Sequence, residues 1–190
     1  MGVMLASSSP RRKRLLKRLV RKFSASAADV GEEVRAGEAF PAAAKRLAEK
    51  KARAVAKHAK ETVVIGADTI AYSGKTIFRK TSDAEVAEKI LLSLSGKTHY
   101  VVTGVCVIFP DGKAVKYAVK AAVKMKRLEG KMLGWYLRTG EWKGRAGCYD
   151  VSGKGRKLVA GVKGEKETVI GLPLKRLRLL LGSGGNFRRR

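Results

Sequence analysis

The chain has 190 residues, 45% hydrophobic and 31% charged, and its 42 Lys and Arg against 16 Asp and Glu leave a formal net charge of +26. That length and apolar content suffice for one body with a buried core. No apolar stretch approaches the roughly 20 residues that span a bilayer, and the N-terminus runs straight into a basic segment, so a cytosolic protein without a membrane partner is expected.

Residues 3–6 form a short apolar run that predicts a strand, and Ser9-Pro10 then supplies an N-cap followed by proline at the first helical position. Leu15, Leu16, Leu19, Val20 and Phe23 fall on one helical stripe, with Arg14, Lys17, Arg18, Arg21 and Lys22 on the rest. Pro41 opens a second helix carrying Leu47, Ala48, Ala52, Val55 and Ala59 at helical spacing. A buried strand over 62–66 follows, ending at Ala67-Asp68-Thr69. Asp68 is thereby expected at a strand's C-terminal end, where open α/β sheets bind ligands.

Val86, Ala87, Ile90, Leu91 and Leu94 mark a third helix. Strands over 99–109 and 114–125 flank Pro110-Asp111-Gly112 and read as a hairpin. A helix over 130–139 leads into 140–155, where Gly144, Gly147, Gly153 and Gly155 predict an irregular, mobile loop of the kind that carries catalytic residues. A strand over 158–162 and one last helix over 168–181 complete a single domain, residues 1–181. Residues 182–190, GSGGNFRRR, read as a flexible basic tail.

Cys106 lies in an apolar run and Cys148 among glycines, which is not a disulfide framework. The two SGKT strings are not Walker A loops, because Thr69 and Leu91 stand where the first glycine is required. The only histidines are His58 and His99, and no cysteine pair has ligand spacing, so any metal must sit on oxygen. His99, inside an apolar strand, reads as a hydrogen-bonded structural residue.

The corner LASSSPRR, residues 5–12, is different. A helix start offers unpaired N–H groups to an anion, and Ser7, Ser9, Arg11 and Arg12 add hydroxyls and two guanidinium forks. On composition alone this is either a phosphate site or a simply capped helix.

LASSSPRR, the strand ending IGADT, Lys80 before a helix, GKTHYVVTGV, WYLRTGEWKGRAGCYDVSGKG and the closing VIGLPL together resemble the Maf family of nucleoside triphosphate pyrophosphatases, in its order, over about residues 3–181. The resemblance implies hydrolysis between the α- and β-phosphates with a divalent cation, Mg²⁺ or Mn²⁺. It also implies an α/β fold like that of the inosine-triphosphate pyrophosphatases, a twisted mixed sheet in two lobes flanked by helices with the active site in the cleft, and a homodimer. The family's catalytic aspartate, a proton acceptor for water, falls on Asp68. Its phosphate-binding residues fall on Ser7, Arg11 and Arg12. The acid after its second strand falls on Glu32, a metal ligand beside Asp68, and its two lysines on Lys51 and Lys80. Arg11 with Thr69 resembles the members that act on dTTP and UTP, while the third specificity position, usually Gln, is Ser152.

Where the family usually shows acids this chain has Arg14, Lys50 and Arg79; its DKAG string is Gly144-Arg145-Ala146-Gly147, and Thr81 replaces a proline. The drift runs one way, from acid to base. It leaves an alternative: a supercharged scaffold that binds nucleic acid or another polyanion, with catalysis impaired by Arg79 and Arg145. Aromatic residues are only 6%, without the interleaved platform that stacks bases.

Overall fold

The structure is a computed structural model that describes residues 2–182. Strands are β1 Gly2–Ala6, β2 Ser24–Ser26, β3 Thr62–Ser73, β4 Thr76–Ile77, β5 Thr98–Ile108, β6 Ala114–Met125 and β7 Val159–Lys163. Helices are α1 Pro10–Leu16, α2 Phe40–Ala56, α3 Ala84–Leu94, α4 Gly130–Arg138, α5 Lys166–Ile170 and α6 Leu174–Gly182. Among the described residues the strands form one mixed sheet of order β2-β1-β3-β5-β6-β7, with β4 on β3. β1 is parallel to both β2 and β3, whereas β4 and β7 are antiparallel to their neighbours.

The chain divides into two compact units. One comprises residues 2–68, 103–119 and 171–182; the other comprises 69–102 and 120–170.

In the first unit α2 presents a nearly pure alanine face, Ala43, Ala44, Ala48 and Ala52, all fully buried. Small side chains let a helix lie close to a sheet, and the opposing strands answer with glycine. A Cβ on Gly66 would stand 2.2 Å from the Ala48 carbonyl oxygen, and one on Gly104 would stand 2.2 Å from that of Ala44. Val64, Gly66 and Asp68 share one face of β3 because side chains alternate along a strand. The alanine contact therefore continues directly to Asp68.

The second unit has its own core, in which Leu91 and Leu94 of α3, Val101, Val123, Tyr136 and Trp142 come together. His99 is fully buried there. Its Nε2 lies 2.9 Å from the Tyr149 hydroxyl, and burial lowers its pKa to about 4, which keeps the ring neutral. This is the structural histidine expected.

Several expected boundaries change. α1 stops at Leu16, and residues 17–19 are a turn closed by bonds from Arg18 N and Leu19 N to the Leu15 and Leu16 carbonyls, so the stripe does not reach Phe23 as helix. β2, SAS, is exposed at every residue and carries no alternation to betray it. β3 runs through Asp68 to Ser73, so Asp68 is inside a strand and not at its end. Its parallel partner β1 stops opposite Gly66, however, and the first unit ends at Asp68. The last helix is two helices, α5 and α6, broken where Gly171 takes φ +120° and Pro173 follows.

The stretch 140–155 is not a loose loop. It contains a 3₁₀ turn, Ala146–Cys148, leads into another, Lys154–Leu158, and buries Trp142, Cys148, Tyr149, Asp150 and Val151. The Glu141 carboxylate ties it down, accepting from Lys154 N at 2.9 Å and Gly155 N at 2.7 Å. Both SGKT strings are turns: Gly74-Lys75 closes the β3–β4 hairpin, and Ser95-Gly96 ends α3 with Gly96 at φ +67°. Gly182 belongs to α6; the rest of the expected tail lies outside the described residues.

Candidate active site

Lys51 sits on the buried side of α2, between the Ala48 and Ala52 that touch Gly66, and it is only 4% exposed. An ammonium there must find a counter-charge, since an unpaired buried charge costs several kcal/mol. It finds two. Its Nζ lies 2.5 Å from Asp68 Oδ1 and 2.6 Å from Glu32 Oε1. Asp68 is 5% exposed, whereas the Glu32 side chain is 46% exposed, so the cluster opens to water on the Glu32 side.

Ser7 stands where β1 turns toward α1, and it is 8% exposed. Its Oγ accepts from Ser9 N at 3.2 Å and from Arg12 Nη1 at 3.3 Å, which leaves the hydroxyl hydrogen to donate outward. Arg12 Nε donates to the Gly171 carbonyl at 2.9 Å and so fixes the guanidinium plane. Burial lowers the Arg12 pKa while Asp68 and Glu32 oppose that shift, which puts the guanidinium within the field of the two carboxylates.

Ser9 caps α1 by accepting from Arg12 N at 3.5 Å, but α1 has only seven residues. The corner's attraction for anions therefore rests on guanidinium groups and hydroxyls more than on a helix dipole. Arg11 is half-buried on that first turn.

Thus Ser7, Arg12, Glu32, Lys51 and Asp68 come together in the first unit. Arg11 belongs to that unit as well, and the other expected site residues belong to the second: Thr69 is half-buried on β3, Lys80 is exposed after β4, and Ser152 is exposed in the turn beyond the first 3₁₀ segment. Ser152 is clamped, its Oγ donating to Asp150 Oδ1 at 2.6 Å and its N–H to the same oxygen at 2.9 Å. Arg145 is engaged within the second unit. Its Nε lies 3.4 Å from Asp150 Oδ2 and its Nη1 donates to the Glu141 carbonyl.

Two contributors escaped the reading of the sequence. The Gly171 carbonyl that orients Arg12 is backbone, and no side chain announces it. Asp150 had a local signal, because Asp-Val-Ser is the spacing of an Asx turn.

A divalent cation fits the donors at hand. Glu32 and Asp68 offer hard carboxylate oxygens that converge on one cation, at present the Lys51 ammonium, and oxygen donors of that kind suit Mg²⁺ or Mn²⁺. Among the described residues no group of three or more His, Cys, Asp or Glu forms a complete cage, so substrate oxygens and water would fill the other positions.

Residues 2–183 match the family described as Maf-like protein. The chain is 41% identical over 183 residues to a dTTP/UTP pyrophosphatase of Myxococcus xanthus, covering 96% of this chain and 92% of the relative. It is 39% identical over 181 residues to a nucleoside triphosphate pyrophosphatase of Anaplasma phagocytophilum, covering 95% and 94%. Among solved structures, a HAM1 protein from Coxiella burnetii aligns over 97% of this chain and 100% of its own, at 14% identity and a TM-score of 0.49.

Proposed function

The chain belongs to the Maf-like protein family, and on that premise we propose that it hydrolyses the α–β phosphoanhydride of dTTP and UTP to a nucleoside monophosphate and pyrophosphate. The observation that carries this reading is the buried Lys51 ammonium held between Asp68 and Glu32, within the field of Arg12. A carboxylate, two kinds of fixed cation and a hydroxyl donor are the parts that phosphoanhydride hydrolysis needs.

Asp68 orients a water molecule and takes its proton as the water oxygen bonds to phosphorus. The anhydride P–O bond breaks, and its electron pair leaves with pyrophosphate. Lys51 balances the charge on Asp68 in the resting enzyme and turns to phosphate oxygen when substrate enters. Ser7, Arg11 and Arg12 grip the triphosphate, and Lys80 adds a further cation. Glu32 and Asp68 would hold a Mg²⁺ or Mn²⁺, which supplies Lewis-acid stabilisation of phosphate charge when bound.

Base selection falls to Arg11, Thr69 and Ser152. Asp150 takes the Ser152 hydroxyl hydrogen, which leaves Oγ as an acceptor, the polarity that N3–H of uracil or thymine requires. The enzyme works as a homodimer in the cytoplasm.

Pyrophosphate release from the eight common nucleoside triphosphates with Mg²⁺ or Mn²⁺ tests the reading. Turnover is expected to be fastest with dTTP and UTP. Asp68→Asn should lower kcat by about 10² to 10⁴. Equal rates for Asp68→Asn and the parent would remove Asp68 from the mechanism.

A further inference from the structure

The basic excess has a local concentration beyond Arg11 and Arg12, which the Asp68 site uses. Six Lys and Arg fall from Lys13 to Lys22, no acid precedes Asp29, and none follows Glu167. α1 and the turn after it bury Leu15, Leu16 and Val20. That burial leaves Arg14, Lys17, Arg18, Arg21 and Lys22 all exposed. Four acids of the same unit pair with other bases: Glu38 with Arg46, Glu49 with Arg53 and Lys116, and Glu32 and Asp68 with Lys51.

α6 adds to this chemistry within the same unit. The bond from Arg12 to the Gly171 carbonyl brings the first turn of α1 to a point three residues before α6 begins. Leu174, Leu177 and Leu181 turn inward, and Lys175, Arg176 and Arg178 are exposed. The Arg176 guanidinium lies 5.1 Å over the Tyr117 ring, which holds it in place.

We propose that the basic face carried by α1, the turn after it and α6 binds nucleic acid through the phosphodiester backbone. Its charged groups are mostly arginines, whose planar forks match phosphate oxygens in pairs. An anionic bilayer is the poorer fit, since interfacial binding needs an apolar face free to insert. Here that face is in the core, and Leu179 is the one exposed large hydrophobic that the first unit shows among the described residues; Val86, Leu92 and Tyr100 belong to the second. With no exposed aromatic on this face among the described residues, bases are not stacked, and recognition is by backbone charge with little sequence preference.

Fluorescence anisotropy with a 5′-hydroxyl 20-nucleotide RNA, and with DNA of the same sequence, tests the proposal. Neither probe carries a triphosphate, so the result is independent of the pyrophosphatase reading. About five backbone contacts should weaken binding roughly a hundredfold between 50 and 200 mM salt.

The combined variant Lys17→Glu, Arg21→Glu, Lys22→Glu should bind at least tenfold more weakly at 50 mM salt. The combined variant Lys75→Glu, Lys89→Glu, Lys97→Glu, which removes the same charge from exposed sites of the second unit, should stay within threefold of the parent. A milder set, Lys17→Gln, Arg21→Gln, Lys22→Gln, should fall between parent and charge reversal, with thermal melts checking that each variant folds. Equal losses in the two charge-reversed variants would show that net charge alone is responsible and overturn the assignment. So would undiminished binding by the first variant, salt-insensitive binding, or tighter binding to phosphatidylserine vesicles than to either probe.

Discussion

Lys51 occupies a position on α2 that packing alone would give to leucine or alanine, four residues after Leu47 and four before Val55. Its apolar stem suits that stripe, and only its tip needs the carboxylates. Replacing it by methionine keeps the stem and removes the cation that bridges the two carboxylates. Lys51→Met should therefore lose roughly 3 kcal/mol of stability, and millimolar Mn²⁺ should raise its unfolding temperature more than the parent's. Equal shifts in both proteins would mean that Glu32 and Asp68 do not form a cation seat. From sequence, Lys51 and Glu32 were legible only through resemblance to a family, whereas Asp68 also stood out from its place after a predicted strand. The reason is physical, since a lysine on a helical apolar stripe looks like any snorkelling lysine until the opposing strand is known. Ser7 and Arg12 were readable from the corner itself, whereas the Gly171 carbonyl that fixes Arg12 depends on a contact 159 residues away along the chain.

At the scale of elements, α2, α3 and the β5–β6 hairpin follow from periodicity and turn chemistry, because each is long and sided. The elements that periodicity misses are those too short or too polar to have a pattern, such as β2, or those stopped by backbone bonds, such as α1 at Leu16. The break between α5 and α6 had its signal in Gly171 and Pro173, but the flanking leucines kept helical spacing across it. The seating of α2 depends on two glycines. Gly66→Ala and Gly104→Ala each place a methyl group into helix backbone, and each should cost about 1–3 kcal/mol. Gly161→Ala, on β7, meets nothing within 4 Å and should lie within about 0.5 kcal/mol of the parent. Denaturant unfolding measures all three; a neutral Gly66→Ala would mean that α2 can move away from the sheet at no cost. That movement would also lengthen the reach from Lys51 to Asp68, so the same variant should lose activity beyond its loss of stability.

For the whole molecule, +26 charges on 190 residues repel one another in the folded state. Screening at 0.1 M salt already acts beyond about 10 Å, so raising NaCl from 20 to 300 mM should relieve about 1 kcal/mol and lift the unfolding temperature by roughly 2–4 °C. A fall over that range would mean that ion pairs such as Glu49 with Lys116 outweigh the repulsion. The α/β class was legible from the order of strands and helices, and the mixed sheet only through resemblance to a family. The boundaries of the two units were not legible, because they fall inside strands: β3 passes from one to the other after Asp68, β5 after Val102 and β6 after Val119. This has a consequence for biosynthesis. Residues 171–182, including the carbonyl that holds Arg12 and the whole of α6, belong to the same unit as residues 2–68. A ribosome must therefore deliver residues 171–182 before that unit can close. The second unit, framed by residues 69–170, has all its parts in hand earlier, so the unit begun sooner is the one completed later.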